Sequence, residues 1–359
     1  MSRPICAEID LSALRHNLRQ VRVLAPHAKI WAVIKANGYG HGVERVAQQV
    51  AAADGFAVAS LDEALILRQK GFLHRILLLE GVFHPDELYA VEQHRLDMVI
   101  HSRHQLDWVL AANISSALSI WLKIDSGMHR LGFALDDFIP VLTKLRHANP
   151  KHTLQLMTHF ASADDDAVFT KQQLERFLYV AEPTNLVKSL ANSAAIQTFA
   201  RAHADWIRPG IMLYGAGILP RYQRDFIAVL TFKTQLISLK WIEAGEGVGY
   251  GQTWRAAQRT LLGIAAAGYG DGYPRHAPSG TPVLVNQQRA SLVGRVSMDM
   301  ITLDLTHLAE RVAIGDEVIL WGKTLSVDEV AQYAGTIGYE LLCGITQRVP
   351  IVEVNSHGE

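Results

Sequence analysis

Cysteine is nearly absent, for 359 residues hold two, Cys6 and Cys343. Two thiols cannot build a disulfide framework or a four-ligand structural zinc site, so a reducing compartment and no metal are expected. No apolar run reaches the ~18 residues that a membrane-spanning helix needs. The opening MSRPICAEIDLSALRHNL carries charge from Arg3 onward and has no apolar stretch long enough for a signal segment. A soluble, cytoplasmic chain is the expectation. An excess of either charge is also missing: 34 Lys and Arg stand against 35 Asp and Glu, a net of −1 with no long single-sign run. That balance gives no general attraction to nucleic acid or to an anionic membrane. Internal repeats, low-complexity tracts and a Pro/Ser-rich linker are lacking as well.

What the chain does have is the material for a large core. Hydrophobic residues make up 49% and charged residues 19%, a globular balance, and the length suggests two to three domains at about 150 residues each. Short apolar runs alternate with helical segments across the first two thirds. IWAVIK (30–35), GFAVAS (55–60), RILLLE (75–80), DMVI (97–100), SIWLKID (119–125), LQLMTHF (154–160), VKSLAN (187–192) and IRPGIMLYG (207–215) read as strands. Between them Ser60 with Glu63, and Ser102 with Gln105, have the spacing of capping boxes, while Gly71 stops the first of these two helices. Eight strand–helix units predict parallel strands closed into a (β/α)8 barrel. The alternative is a doubly wound open sheet, whose G-x-G-x-x-G fingerprint after the first strand is missing. From residue 228 the texture changes to strand-like runs with little helix between them, among them TFKTQLISLKWI, TPVLVN and DEVILWG. The division expected is a barrel over 1–227 and a mostly β domain over 228–359, packed together, with the first ten or so residues free to pair with the second domain.

A barrel keeps its chemistry at the carboxyl ends of its strands. There the first strand runs into V-I-K-A-N-G-Y-G-H-G. Lys35 closes an apolar strand, where a lysine is costly to bury unless it is paired, deprotonated or covalently used. A solvated strand-end lysine is the plain alternative. Asn37, Gly38, Tyr39, Gly40, His41 and Gly42 crowd the loop beside it with polar groups and flexible backbone.

KANGYGHG (35–42), DSGMHRLG (125–132), THFASAD (158–164), NSAA (192–195), RPGIMLYG (208–215), VGYGQTW (248–254), GYGDGYPR (268–275), GRVSMDM (294–300) and GYELLC (338–343) resemble, in order, the motifs of bacterial alanine racemases. The resemblance spans nearly the whole chain. It implies a barrel that binds pyridoxal 5'-phosphate, a β domain, and a homodimer with active sites shared between subunits. Lys35 is then the amine that carries the cofactor as a Schiff base, and it serves one face of the substrate α-carbon. Tyr250 of the partner subunit serves the other face. A free phenol has a pKa of ~10, so its phenolate needs support. By resemblance that comes through His159 and Arg208.

Arg208 is further implied to contact the cofactor ring nitrogen, and a guanidinium keeps its proton, so that nitrogen stays unprotonated and the ring is a weaker electron sink. The RPG run also reads structurally, as a helix stop followed by a tight turn. The phosphate falls to the backbone N–H groups of Gly210 and Ile211 and the hydroxyls of Ser193, Tyr39 and Tyr339. Arg130 is assigned to the cofactor phenolic oxygen and the substrate carboxylate. Met298 of the partner is assigned a backbone donor to that carboxylate. Tyr269 and Tyr339 are placed at the entrance. Lys123 matches a position often carbamylated, with a plain lysine ion pair as the other reading. Gly38 departs from the alanine usual in the motif. Read singly, Tyr250, His159 and Met298 would be a strand tyrosine, a strand-end histidine and a core methionine.

The activity implied is interconversion of L- and D-alanine, which supplies D-alanine for peptidoglycan or degrades it. A broader-specificity racemase of the same fold, a fold-related decarboxylase and a non-catalytic pyridoxal phosphate carrier are the rivals. VGYGQTW argues against the decarboxylase, and the β domain against the carrier.

Overall fold

The computed structural model describes residues 3–114 and 116–356. Strand β1 (Cys6–Asp10) leads into helix α1 (Leu11–Leu24), which Asp10 caps by accepting from the Ser12 and Ala13 amides. Eight parallel strands then close on themselves: β2 (Lys29–Val33), β3 (Gly55–Val58), β4 (Arg75–Leu78), β5 (Asp97–Ile100), β6 (Ser119–Lys123), β7 (Thr153–Met157), β8 (Lys188–Asn192) and β9 (Trp206–Arg208). The closing pairs are Lys29 with Trp206 and Ile30 with Ile207. That seam excludes the open sheet. The connections carry a single turn α2 (Lys35–Tyr39) followed by α3 (Val43–Gln49), then α4 (Leu61–Gln69), α5 (Glu87–Gln93), α6 (Arg103–Ala111), α7 (Phe138–Ala148), α8 (Ala167–Ala181) and α9 (Ser193–Thr198).

Both faces of each barrel strand are covered, so the strands are apolar almost without interruption. Towards the amino-terminal end of the barrel Trp31 stacks on Trp206 at 4.3 Å, with Trp121 edge-on to both. The Arg75 guanidinium lies over Trp31 and Trp206 and is held by Asp97 at 2.7 Å. This plug leaves the opposite end for chemistry.

The second unit is a sheet of β10 (Leu230–Ile242), β13 (Thr260–Ala265), β14 (Pro282–Val285), β15 (Gln288–Leu292), β16 (Ile301–Asp304) and β17 (Glu317–Trp321), beside a small hairpin of β11 (Gly247–Val248) and β12 (Trp254–Arg255). β10 pairs with β17 on one side and β13 on the other, and register shifts at Phe232/Lys233 and Leu236/Ser238 let this long strand bend between them. β1 and the last strand, β18 (Ile351–Val354), extend the same sheet, with β1 between β10 and β18. Two helices, α10 (Val327–Ala334) and α11 (Gly338–Cys343), separate β17 from β18 where the sequence texture suggested little helix. Ser326 caps α10 and left-handed Gly335 ends it. α11 lies against α2, and a side chain at Gly40 would strike the Leu342 carbonyl. No helix among the described residues is long and apolar enough to cross a membrane.

Candidate active site

The hydrogen-bonded part of β2 ends at Val33, and the chain then turns left-handed. Ala36, Asn37, Gly38, Tyr39 and Gly40 all have positive φ, between 51° and 81°. Each non-glycine residue in that region costs about 1–2 kcal/mol, so the turn persists because its surroundings over-determine it. Glu63 accepts from the Ala36 amide at 2.7 Å, Asn37 Oδ1 accepts from Val43 N at 2.9 Å, and His41 Nδ1 donates to the Tyr39 carbonyl at 2.8 Å. Burial pushes His41 down to about 4, which keeps it neutral. The turn fixes Lys35 at its start and drives Tyr39 inward at its end.

Tyr39 is 7% exposed and stacks on Tyr214 at 4.7 Å, with Tyr339 5.9 Å from it. Its hydroxyl lies over the backbone of Gly210, where a Cβ would come within 2.5 Å. Only glycine allows that approach. Gly210 N donates to Ser193 Oγ at 2.9 Å, and Ile211 opens the one-turn helix Ile211–Tyr214, whose leading amides lack intrahelical partners. Tyr39, Ser193, Gly210 and Ile211 thus gather hydroxyl and amide donors without a cation.

Arg208, at the end of β9, is 4% exposed. It donates to Ser189 Oγ (2.7 Å), the Thr158 carbonyl (2.6 Å) and the Leu190 carbonyl (3.0 Å), and its Nη2 lies 3.2 Å from His159 Nδ1. Burial lowers it to about 9, so it remains charged at neutral pH. Arginine has no acceptor, which makes His159 Nδ1 the acceptor of this pair and leaves the imidazole proton on Nε2. Burial first, and then the Arg208 charge, hold His159 well below its ordinary range. The pair is therefore a fixed cation behind a neutral histidine whose free nitrogen is a donor.

Lys123 ends β6, buried, and is pushed down to about 7 by burial and by Arg208, Arg130 and Lys35, while Glu80 pulls the other way. It forms no ion pair among the described residues, so the plain ion-pair reading has no partner here. Arg130 lies in a loop anchored by Asp125, which accepts from the Gly127 and His129 amides at 2.9 and 3.0 Å. The structure thus brings Lys35, Tyr39, Lys123, Arg130, His159, Ser193, Arg208, Gly210, Ile211 and Tyr339 to one end of the barrel. In the sequence Glu63 reads only as a helix cap. Its one wider signal was its place one strand on from Lys35.

Tyr250, Met298 and Tyr269 are not part of that cluster. They lie on the second unit, exposed by 69%, 52% and 38%. Tyr250 sits between Gly249 and Gly251, both at positive φ, where Gly251 adjoins Arg295. Tyr269 N donates to the Ser297 carbonyl at 3.0 Å and Gly270 N to the Met298 carbonyl at 2.9 Å. No hydrogen bond, ion pair or ring contact among the described residues joins these three to Lys35, Arg130 or Arg208.

Residues 9–217 match the family model described as "Alanine racemase, N-terminal domain" and residues 229–353 match "Alanine racemase, C-terminal domain". The chain belongs to the alanine racemase family. It is 49% identical to the alanine racemase of Nitrosococcus oceani over 96% of this chain and 98% of that one. To the catabolic alanine racemase of Klebsiella aerogenes it is 46% identical, over 98% of this chain and 99% of the relative. Among solved structures, the biosynthetic alanine racemase of Pseudomonas aeruginosa superposes with a TM-score of 0.94 at 47% identity, covering 98% of this chain and all of the other. Like other members of the family, the protein is an isomerase of the amino-acid racemase class. The family motif's alanine has no room at position 38, since a Cβ there would lie 2.8 Å from Val46 Cγ2.

Proposed function

We propose that the protein racemises alanine with pyridoxal 5'-phosphate carried on Lys35, as a cytoplasmic homodimer whose two chains complete each other's sites, and that the barrel unit ends at residue 227. D-alanine so formed supplies peptidoglycan, or is consumed in a catabolic role. The observation that carries the reading is the pair formed by buried Arg208 and half-buried His159 beyond the strand ends beside Lys35. The donor set fits the cofactor. Hydroxyls and amides at Tyr39, Ser193, Gly210 and Ile211 suit a phosphate, and a permanently charged Arg208 suits a ring nitrogen that can only accept. Bound pyridoxal phosphate withdraws electrons from an attached amino acid and so acidifies its α-C–H bond.

Lys35 Nζ holds the proton at one face of the α-carbon, and the partner subunit's Tyr250 holds it at the other. His159 offers its Nε2–H to that phenolic oxygen and so favours the phenolate, with Arg208 fixing the imidazole tautomer. Arg130 takes the substrate carboxylate in its fork together with the backbone N–H of the partner subunit's Met298, while Tyr269 and Tyr339 narrow the entrance. Exposure of Tyr250, Tyr269, Met298 and Met300 on one chain supports a second copy covering them. Lys123, partly neutral near pH 7 and ringed by cations, adds CO2 through its free amine and releases a proton, which gives a carbamate that pairs with Arg130.

Reconstituted with pyridoxal phosphate, the protein is expected to absorb visible light, and Lys35→Ala to abolish that band. Tyr250→Phe is expected to stop α-proton exchange from one alanine enantiomer far more than from the other; equal, modest losses in both directions would remove Tyr250 from the mechanism. Growth of a carbamate signal in ¹³C NMR on adding labelled bicarbonate, absent from Lys123→Ala, checks the modification.

A further inference from the structure

Two motifs each hold an aspartate to which the mechanism assigns nothing, Asp271 and Asp299. Asp271 of GYGDGYPR is completely buried, and two arginines from the opposite ends of the chain converge on its carboxylate. Arg3 binds it through both Nη atoms, at 2.7 and 3.0 Å, and Arg348 reaches it through Nε at 2.8 Å. The Gly268 amide fills a further site at 2.9 Å. The same two arginines extend to the neighbouring GRVSMDM loop. Arg3 donates to the Asp299 carbonyl at 3.1 Å, and Arg348 pairs with the Asp299 carboxylate. The loops also lie backbone against backbone through Tyr269 to Ser297 and Gly270 to Met298, and a side chain at Gly268 would strike the Ser297 and Met298 carbonyls.

We infer that Asp271 is a positioning residue for substrate binding. Through Arg3 and Arg348 it fixes the loop that presents the Met298 backbone N–H and the ring of Tyr269. This rests on the reading of Met298 as a donor to the substrate carboxylate in the partner's site. A buried carboxylate bound by two guanidiniums and an amide is a rigid anchor, because removing its charge takes a carboxylate partner from both arginines at once and leaves Arg348 with Asp299 alone. Packing alone needs no such node, since Tyr269 and Met298 lie at the surface and Arg3 and Arg348 are 33% and 39% exposed.

The test is Asp271→Asn in the holoenzyme. Its KM for alanine is expected to rise about ten- to hundredfold, with kcat changed far less. Inhibition by ethylamine, which lacks the carboxylate, is expected to stay as in the parent. Amide exchange at Tyr269 and Gly270 is expected to accelerate while barrel amides hold their protection. An unchanged KM overturns the assignment, and so does an equal loss of affinity for alanine and ethylamine. Should Asp271→Asn fail to fold, Arg348→Gln, which leaves Arg3 on the carboxylate, carries the same test with a smaller rise in KM. Mixed dimers of Lys35→Ala and Asp271→Asn chains separate the two readings. If the loop serves the partner, one site per mixed dimer is intact and the parent KM returns. A raised KM that mixing does not restore overturns the two-chain reading of Met298 and leaves the role of Asp271 standing.

Discussion

Gly38 shows how one missing methyl can be taken up elsewhere. Its φ of +63° suits glycine, and the fully buried branch of Val46 occupies the space where a Cβ would point. Gly38→Ala is therefore expected to destabilise the protein by about 1–3 kcal/mol, through overpacking in a well-filled core. Val46→Ala in the same chain opens that space, so the double variant is expected to be more stable than the sum of the single losses by about 1 kcal/mol or more. Urea denaturation of the four proteins measures the coupling, and strict additivity would show that the two side chains do not compete. In the sequence Gly38 reads only as a looser loop. Its partner in α3 is eight residues away, and only the left-handed turn brings them together.

At the scale of elements, α2 depends on a neutral histidine. His41 sits near 4 in the fold against an ordinary 6.5, so below pH 6.5 the unfolded chain takes a proton that the folded one refuses. Stability therefore falls as pH drops from about 6.5 to about 4, by up to about 3 kcal/mol from this group, and is unaffected by it above that window. His41→Gln keeps a donor but does not titrate. Urea titrations from pH 4 to 7 are expected to show a shallower acid limb than the parent, and an identical limb would acquit His41. The strands themselves are legible, since covered β-branched runs leave few other options, but six of the eight stop short of the expected carboxyl end, DMVI and VKSLAN being the exceptions. LQLMTHF stops being strand at Met157, and of IRPGIMLYG only Ile207 and Arg208 lie in β9. Near the site the apolar run continues into loops that pack around it, so burial outlasts the hydrogen-bonded ladder. Capping shows a similar displacement. Glu63 and Gln105 accept from Ala59 and His101, one residue before the expected amides, and the Ser60 and Ser102 hydroxyls make no capping bond. Glu63 spans two amides, and its second, at Ala36, is invisible to local spacing.

For the whole molecule the decisive element is β1. It pairs antiparallel with β10 from Cys6 to Ile9 and parallel with β18 from Ala7 to Asp10. Among the described residues β18 has no other strand partner in the sheet. Deleting residues 1–10 is therefore expected to release β18, strip Arg3 from Asp271 and expose the edge of β10, leaving the barrel strands paired. Hydrogen exchange would register this as lost protection at 351–354 and 230–233 with β2 to β9 still protected; a uniform loss would mean that the two units unfold as one. The pairing of the amino terminus is the part of the architecture that local pattern describes least, because CAEID carries no mark of which strand it joins.

The place of β1 also imposes an order on synthesis. β1 cannot be seated until Lys233 has been made, and its second neighbour, which begins at Ile351, is translated later still. A nascent chain can close its barrel while β1 hangs unpaired, with both edges open to any other strand nearby. Seating β1 is thus an act of retrieval, in which strands made late fasten down one made early.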